Sequence, residues 1–297
     1  MAAQRELAEL LAGSDASTWF CWAQHFTPLR ILEASNPSFG LLPRLRTAEA
    51  FSAVAFAHVR RPGEPNPAAT QVQGGWLLDG SLDWVTSWDI ADVVMVMARG
   101  TGADSESLVC AFLPAGHSSH QADGVAPGDP LELLAMGGTH TRPVRLNNVH
   151  VPTESVGTIL DRSAWLAADA RTSADANPAI FGVTRGALGE LAMLSKQRSD
   201  AELAAVVEAL ALECRSIRQR AYDAVDDPET PIAVKLGVRA EALGLVQRAT
   251  TAVIVARAGA AIRSGQSAER RAREALFLQV QAQTAQSRSA TLDRLVG

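Results

Sequence analysis

Few side chains in this 297-residue sequence are of a type and spacing that suit chemistry. Cys21, Cys110 and Cys214 lie far apart, with neither CxxC spacing nor a nearby histidine set, which argues against a zinc site or a disulfide framework and suits a reducing cytoplasm. Glu190 and Arg288 read as helix-surface charges and His140 as a strand residue. His25 shares a helix with aromatic residues and is a weak ligand candidate. Trp19 and Trp22 sit at i and i+3, a spacing that packs a core more often than it lines a ligand cavity. The Arg60-Arg61 doublet has the charge to hold a phosphate, although adjacent arginines more often form a solvated rim. The densest run is Gly75-Trp-Leu-Leu-Asp-Gly-Ser-Leu-Asp-Trp-Val-Thr-Ser-Trp88, where indoles and hydroxyls alternate with aliphatic residues.

These residues need elements to position them. Residues 75–88 read as two strands closed by a turn at Asp79-Gly80, then a polar corner, then a buried strand over 93–99. The texture from 51 to 152 is that of an antiparallel β-domain: Val, Ile and Thr rise, and Gly, Pro and Asn separate short runs. Further strands are expected at 52–58, 108–113 and 139–151, giving five to seven in a small barrel. Helical periodicity precedes this domain at 3–12 and 19–31, with a stop and N-cap signal at Gly13-Ser14-Asp15. It resumes after Ser163, with helices expected at 177–195, 201–225, 233–263 and 268–295 as a four-helix bundle. The fold class is therefore α+β multidomain, divided as 1–50, 51–158 and 159–297.

With 47% apolar residues, 20% charged residues and a net charge of −5, the chain is globular and lacks the clustered basic excess of a nucleic-acid binder. No uninterrupted apolar run approaches a membrane span, and the N-terminus does not read as a signal peptide, so a soluble cytoplasmic protein is expected.

The order helices, β-domain, helical bundle resembles the acyl-CoA dehydrogenase superfamily, including its flavin-dependent monooxygenase-like members. Gly75-Trp-Leu-Leu-Asp-Gly-Ser-Leu-Asp-Trp-Val-Thr86 is similar to the family's G-W-x-L-x-G-x-K-x-[WF]-[IV]-T. Met136-Gly137-Gly138-Thr139 through Val151-Pro152 is similar to its later strand, and Ser267-Ala-Glu-Arg-Arg-Ala-Arg273-Glu274-Ala275 to the E-x-x-x-R-D-A that enters its last helix. The resemblance implies FAD, with Trp84 as a stacking wall, Thr86 as a hydrogen-bond donor, and Val85, Arg60, Gly259 and Thr284 completing the cofactor set. It also implies an acyl-CoA or related substrate, and homo- or hetero-oligomers formed through the C-terminal bundle.

The departures bear on mechanism. Oxidation of an acyl-CoA needs a carboxylate to take the α-proton while flavin accepts the β-hydride. The family's Glu-Gly-Thr base falls at Ala282, in Gln281-Ala282-Gln283-Thr284, and the alternative base on the bundle's first helix falls at Ala179. No catalytic residue is therefore identified. The T-E-P-x-A-G-S-D cofactor loop becomes Arg60-Arg61-Pro62-Gly63-Glu64-Pro65-Asn66-Pro67, and of the Gln-x-x-Gly-Gly-x-Gly element only Gly259 survives. The N-terminal helical domain is shortened relative to the family. The expectation is a flavin-binding oxidoreductase, weak or inactive as a lone chain. The alternatives are a non-catalytic subunit of a heteromeric acyl-CoA dehydrogenase and a flavin monooxygenase-like enzyme.

Overall fold

The computed structural model describes residues 2–296, which divide into two compact units. The sheet unit comprises Phe20–Leu133 and Gly137–Ala168; the helical unit comprises the chain up to Trp19, Leu134–Met136 and the chain from Asp169 onward. Along the chain the strands are β1 (Ser52–Ala55), β2 (Ala68–Val72), β3 (Gly75–Val85), β4 (Val93–Gly100), β5 (Ser107–Pro114), β6 (Val125–Pro127), β7 (Arg142–Pro152) and β8 (Val156–Asp161). The helices are α1 (Ala2–Ser14), α2 (Ala16–Ser35), α3 (Leu42–Arg46), α4 (Arg162–Ser173), α5 (Pro178–Arg198), α6 (Ala201–Asp226), α7 (Ile232–Arg257), α8 (Ser267–Val280) and α9 (Ala285–Val296).

All eight strands join one sheet in the order β6-β7-β3-β2-β4-β5-β8, with β1 added alongside β4. The expected small barrel does not close. The path ends at β6, a three-residue strand that finishes on Pro127, and proline has no N–H to donate to a further strand. It ends on the other side at β8, which pairs with β5 alone. Strands β4 and β5 are apolar almost throughout because both of their faces are covered. Val94, Val96, Ala98, Val109, Ala111 and Leu113 join one core with β3 and β7; Met95, Met97, Leu108, Cys110 and Phe112 join another with Leu29 and Leu32 of α2 and Leu42 and Leu45 of α3.

Asp79-Gly80 does not close a hairpin. β3 runs through it as a single strand of 11 residues, with a register irregularity against β7 between Leu78 and Gly80. An Asp-Gly pair serves a type I′ turn and a glycine bulge equally well, so the local signal is degenerate. Tertiary packing decides. Gly80 has φ +143, and a Cβ there would lie 2.4 Å from Asn66 Oδ1 and 2.6 Å from Pro67 Cα, so the glycine admits the neighbouring backbone rather than reversing the chain.

In the helical unit, α7 is the central helix. It packs against α5, α6, α8 and α9 and buries Val238, Leu243, Leu245, Val246, Ala249 and Val253. By length and hydropathy the segment Ile232–Ile262 passes as a membrane span, which reading uninterrupted apolar runs did not anticipate. The contacts of α7 with four other helices are those of a core helix. The helix expected at 268–295 is two helices. Ala282 adopts φ +50 and ends the first, while Thr284 and Ser287 cap the second reciprocally: Ser287 Oγ receives the Thr284 N–H at 2.8 Å and Thr284 Oγ1 receives the Ser287 N–H at 3.2 Å.

Helix α1 crosses α5 at glycines. A Cβ on Gly13 would come within 2.8 Å of Gly182 O, and one on Gly182 within 2.4 Å of Glu9 O. The close approach buries Glu9, which is 1% exposed. Its carboxylate accepts from Arg185 Nη1 (2.7 Å), Arg218 Nε (2.6 Å) and Tyr222 Oη (2.5 Å), so three donors on α5 and α6 replace the water it has lost.

Candidate functional site

The corner after β3 is built by a second irregularity, between Leu82 and Val85 against β7. Strict alternation would put Trp84 on the buried face with Leu82. The bulge shifts the phase, so Trp84 turns outward, 53% exposed, and Val85 turns in, fully buried in the sheet core. Thr86 follows at 7% exposure, and Ser87 at 0% with φ +67. Ser87 N–H donates to Thr139 O (2.8 Å) and Trp88 N–H to His140 O (3.1 Å), which ties the corner to the segment entering β7.

That tie assembles a set of buried hydroxyls. Thr86 Oγ1 is 3.3 Å from Thr141 Oγ1, which is 2.8 Å from Thr139 Oγ1. Ser87 Oγ is buried with no hydrogen-bond partner. An unsatisfied buried hydroxyl costs about 1–3 kcal/mol unless something fills its place. Thr139 falls within the Met136–Thr139 motif and Thr141 carries no local signal of its own; the pairing of the two segments brings their hydroxyls beside Thr86. His140 beside them is exposed and lies 3.6 Å from Asp89, whose other oxygen accepts from Arg142 Nε at 2.7 Å.

Arg60 lies in a short 3-10 turn over Ala57–Arg60, its guanidinium 5.3 Å from the centre of the Phe56 ring. The loop that follows roofs a cavity of about 170 Å³ lined by His58, Arg61, Asn66 and Arg99, among others. Arg61 pairs with Asp83, Arg99 Nη1 donates to Gly63 O at 3.0 Å, and His58 Nε2 donates to Met97 O at 2.6 Å. Burial holds the His58 imidazole below its ordinary pKa. His25 is a core histidine: its Nδ1 accepts from Ser52 N–H (3.1 Å), which leaves the proton on Nε2 to donate to Leu45 O (2.9 Å), and burial lowers its pKa as well.

The remaining expected residues belong to the helical unit. Ala179 is fully buried in the first turn of α5, where Asn177 Oδ1 accepts its N–H at 2.9 Å. Asn177 Nδ2 donates to Gln281 Oε1 at 3.4 Å, so Ala179 and Ala282 flank one corner. Arg239, 3% exposed, fixes that corner by donating to Ser173 O (2.7 Å) and Gln281 O (2.6 Å). Thr284 serves as the α9 cap. Gly259 is exposed in the 3-10 turn Ala258–Ile262, and a Cβ there would meet nothing within 4 Å. Arg288 is exposed, as expected of a surface charge.

Glu190 is not the surface charge that its place on a helix suggested. It is 8% exposed and accepts from Arg257 Nε (2.5 Å) and Ser267 Oγ (2.9 Å), joining α5 to the end of α7 and the start of α8. Glu274 is also buried. Its Oε1 accepts from Arg270 Nη1 (2.7 Å) and Ala16 N–H (3.1 Å), its Oε2 has no partner, and burial raises its pKa. No group of three or more His, Cys, Asp or Glu residues suited to a metal ion occurs among the described residues.

No protein-family model matches the sequence. Solved structures do. Butyryl-CoA dehydrogenase from Megasphaera elsdenii superposes with a TM-score of 0.75 at 17% identity, over 98% of this chain and 80% of that one. An FMN-bound dibenzothiophene monooxygenase from Paenibacillus sp. A11-2 gives 0.77 at 19% identity, over 98% and 82%. Glutaryl-CoA dehydrogenase in its glutaryl-CoA complex gives 0.76 at 18%, over 98% and 79%. The chain has the acyl-CoA dehydrogenase fold that its motifs implied.

Proposed function

We propose that the chain is a flavin-binding oxidoreductase of the acyl-CoA dehydrogenase type that acts on an acyl thioester and is weak in α,β-dehydrogenation by itself. The observation that carries the flavin reading is the corner at Trp84–Ser87: an outward indole beside the Thr86, Thr139 and Thr141 hydroxyls, with an orphaned Ser87 hydroxyl in the same place. A planar ring with polar edges suits that combination, since an indole offers a stacking face and the hydroxyls offer donors.

The fit is uneven along the cofactor. The ring end has a built set of groups. The dinucleotide end does not, because Gly259 stands in open space and Arg61 and Arg99 are already engaged by Asp83 and by backbone carbonyls. FAD and FMN are therefore to be tested side by side.

When bound, flavin supplies a hydride-accepting ring. The chain's own residues position that ring: Thr86 donates to it and Trp84 walls it. Neither Ala179 nor Ala282 can remove a proton from substrate, which is the ground for weak dehydrogenation. The same two alanines favour a second reading, a flavin-dependent monooxygenase, whose chemistry needs no α-proton base. A partner subunit that supplies the base in a mixed oligomer accounts for them equally.

Titrating the purified chain with FAD and with FMN, read by flavin fluorescence, tests the proposal. Saturable binding is expected, weakened about fivefold by Thr86→Val through loss of one hydrogen bond of about 1 kcal/mol. Absence of saturable binding to either cofactor refutes the flavin reading, and rapid enoyl-CoA formation by the lone chain refutes weak dehydrogenation. Oxygen uptake with reduced flavin selects the monooxygenase.

A further inference from the structure

A cleft in the helical unit, remote in sequence from the Trp84 corner, is lined by Glu6 of α1, Arg185 and Leu188 of α5, and Ala211, Cys214, Arg215 and Arg218 of α6, and encloses about 320 Å³. We propose that it binds a small soluble oxyanion, a phosphate or a carboxylate.

The charge arithmetic is local. Three guanidinium groups line the cleft, while the carboxylates that pair with them among the described residues are Glu6 and the buried Glu9 beneath. Arg185 and Arg218 each bridge both glutamates. Arg215 is exposed and makes no ion pair with any described residue, so one positive charge is left uncompensated in a protein whose net charge is −5. Cys214 does not cancel it. Burial and the nearby Glu9 push its thiol up to about 11, and it stays neutral through the physiological range.

The geometry favours an oxyanion over a simple halide. Arg185 uses only Nη1 toward the glutamates and Arg218 uses Nε and Nη2, so N–H groups remain on both, together with the whole fork of Arg215. Guanidinium forks match the paired oxygens of carboxylate and phosphate. Leu188, Ala211 and Cys214 give the cleft an apolar side, which accommodates a short carbon skeleton behind the anionic head.

Isothermal titration of the full chain with sodium phosphate and with sodium succinate, at low and at raised sodium chloride, tests the assignment. Saturable binding that weakens with salt is expected for at least one of the two. Arg215→Ala should weaken it at least fivefold without moving the thermal midpoint, and Arg215→Lys should fall between. Arg294→Ala, which removes an exposed arginine elsewhere on the same unit, should leave it unchanged. Glu6→Gln should tighten it by removing the carboxylate that competes for the same donors. No saturable binding, or binding indifferent to Arg215, overturns the proposal. So does binding confined to phosphatidic acid vesicles with none to free phosphate or succinate.

Discussion

Replacing Glu9 with glutamine removes the charge of a fully buried carboxylate in the helical unit while keeping the side chain's volume. Glu9 is 1% exposed and receives Arg185, Arg218 and Tyr222. Breaking one side of a buried, hydrogen-bonded ion pair costs about 3–5 kcal/mol. The two arginine side chains retain 46% and 31% of their exposure, so water recovers part of their solvation and the lower end applies. We expect a loss of about 3 kcal/mol, roughly a hundredfold in the folding equilibrium. Glu6→Gln, whose side chain is 46% exposed, should cost about 1 kcal/mol or less. Urea denaturation followed by circular dichroism measures both.

A second readout follows the same carboxylate spectroscopically, because Tyr222 is the chain's only tyrosine. Burial, and then the hydrogen bond to Glu9, push its phenol well above the ordinary value. In the parent chain phenolate absorbance should appear only as alkali unfolds the protein; in Glu9→Gln it should appear earlier. A Glu9→Gln protein within about 0.5 kcal/mol of the parent and with the same phenol titration would refute the role assigned to this carboxylate.

Two further outcomes follow from the packing. Gly182→Ala places a Cβ 2.4 Å from Glu9 O and 2.9 Å from Glu9 Cα, both backbone atoms that cannot rotate away, and overpacking of this kind costs about 1–3 kcal/mol; a lowered urea midpoint is the expected result, and an unchanged one would contradict the close helix crossing. In the sheet unit, His25 and His58 both have pKa values lowered by burial, so between their folded values and about pH 6.5 the unfolded chain binds more protons than the folded one. Stability should therefore be full above that range and decline as pH falls through it. His25→Gln should flatten part of the slope measured by thermal unfolding across pH.

The sequence carried the periodicity of most elements. The apolar run at 93–98, the alternation into Pro152 and the helix start at 177 all correspond to structure, because each is decided by residues within a few positions. What it did not carry was decided at long range. Asp79-Gly80 reads as a turn until Asn66 and Pro67 are seen against the glycine. Gly182 and Gly186 repeat at helical spacing, the one local trace of the α1 crossing, but a glycine pair does not name its partner. Glu190 and Glu9 look like surface charges because the arginines that bury them lie 67 and more residues away. At the candidate site, Trp84 and Thr86 were legible as residue types, whereas the phase shift that separates Trp84 from Val85 depends on the register with β7.

The corner around Ala179 and Ala282 is held without help from either alanine side chain. Asn177, Arg239, Thr284 and Ser287 supply side-chain hydrogen bonds that fix the start of α5 and the junction between α8 and α9. Neither alanine side chain takes part. A carboxylate at either position would act on a substrate without holding the backbone, so its replacement by a methyl group leaves the scaffold intact. At Ala179, which is fully buried, the methyl also removes the cost of keeping a charge from water. Selection for folding alone thus gives no reason to retain a base here, while the Trp84–Ser87 corner carries a cost of its own, a buried hydroxyl without a partner. A strained corner with an unmet donor is the feature that folding would discard first. Its presence beside an outward indole is why the flavin reading rests on that corner and not on the overall fold.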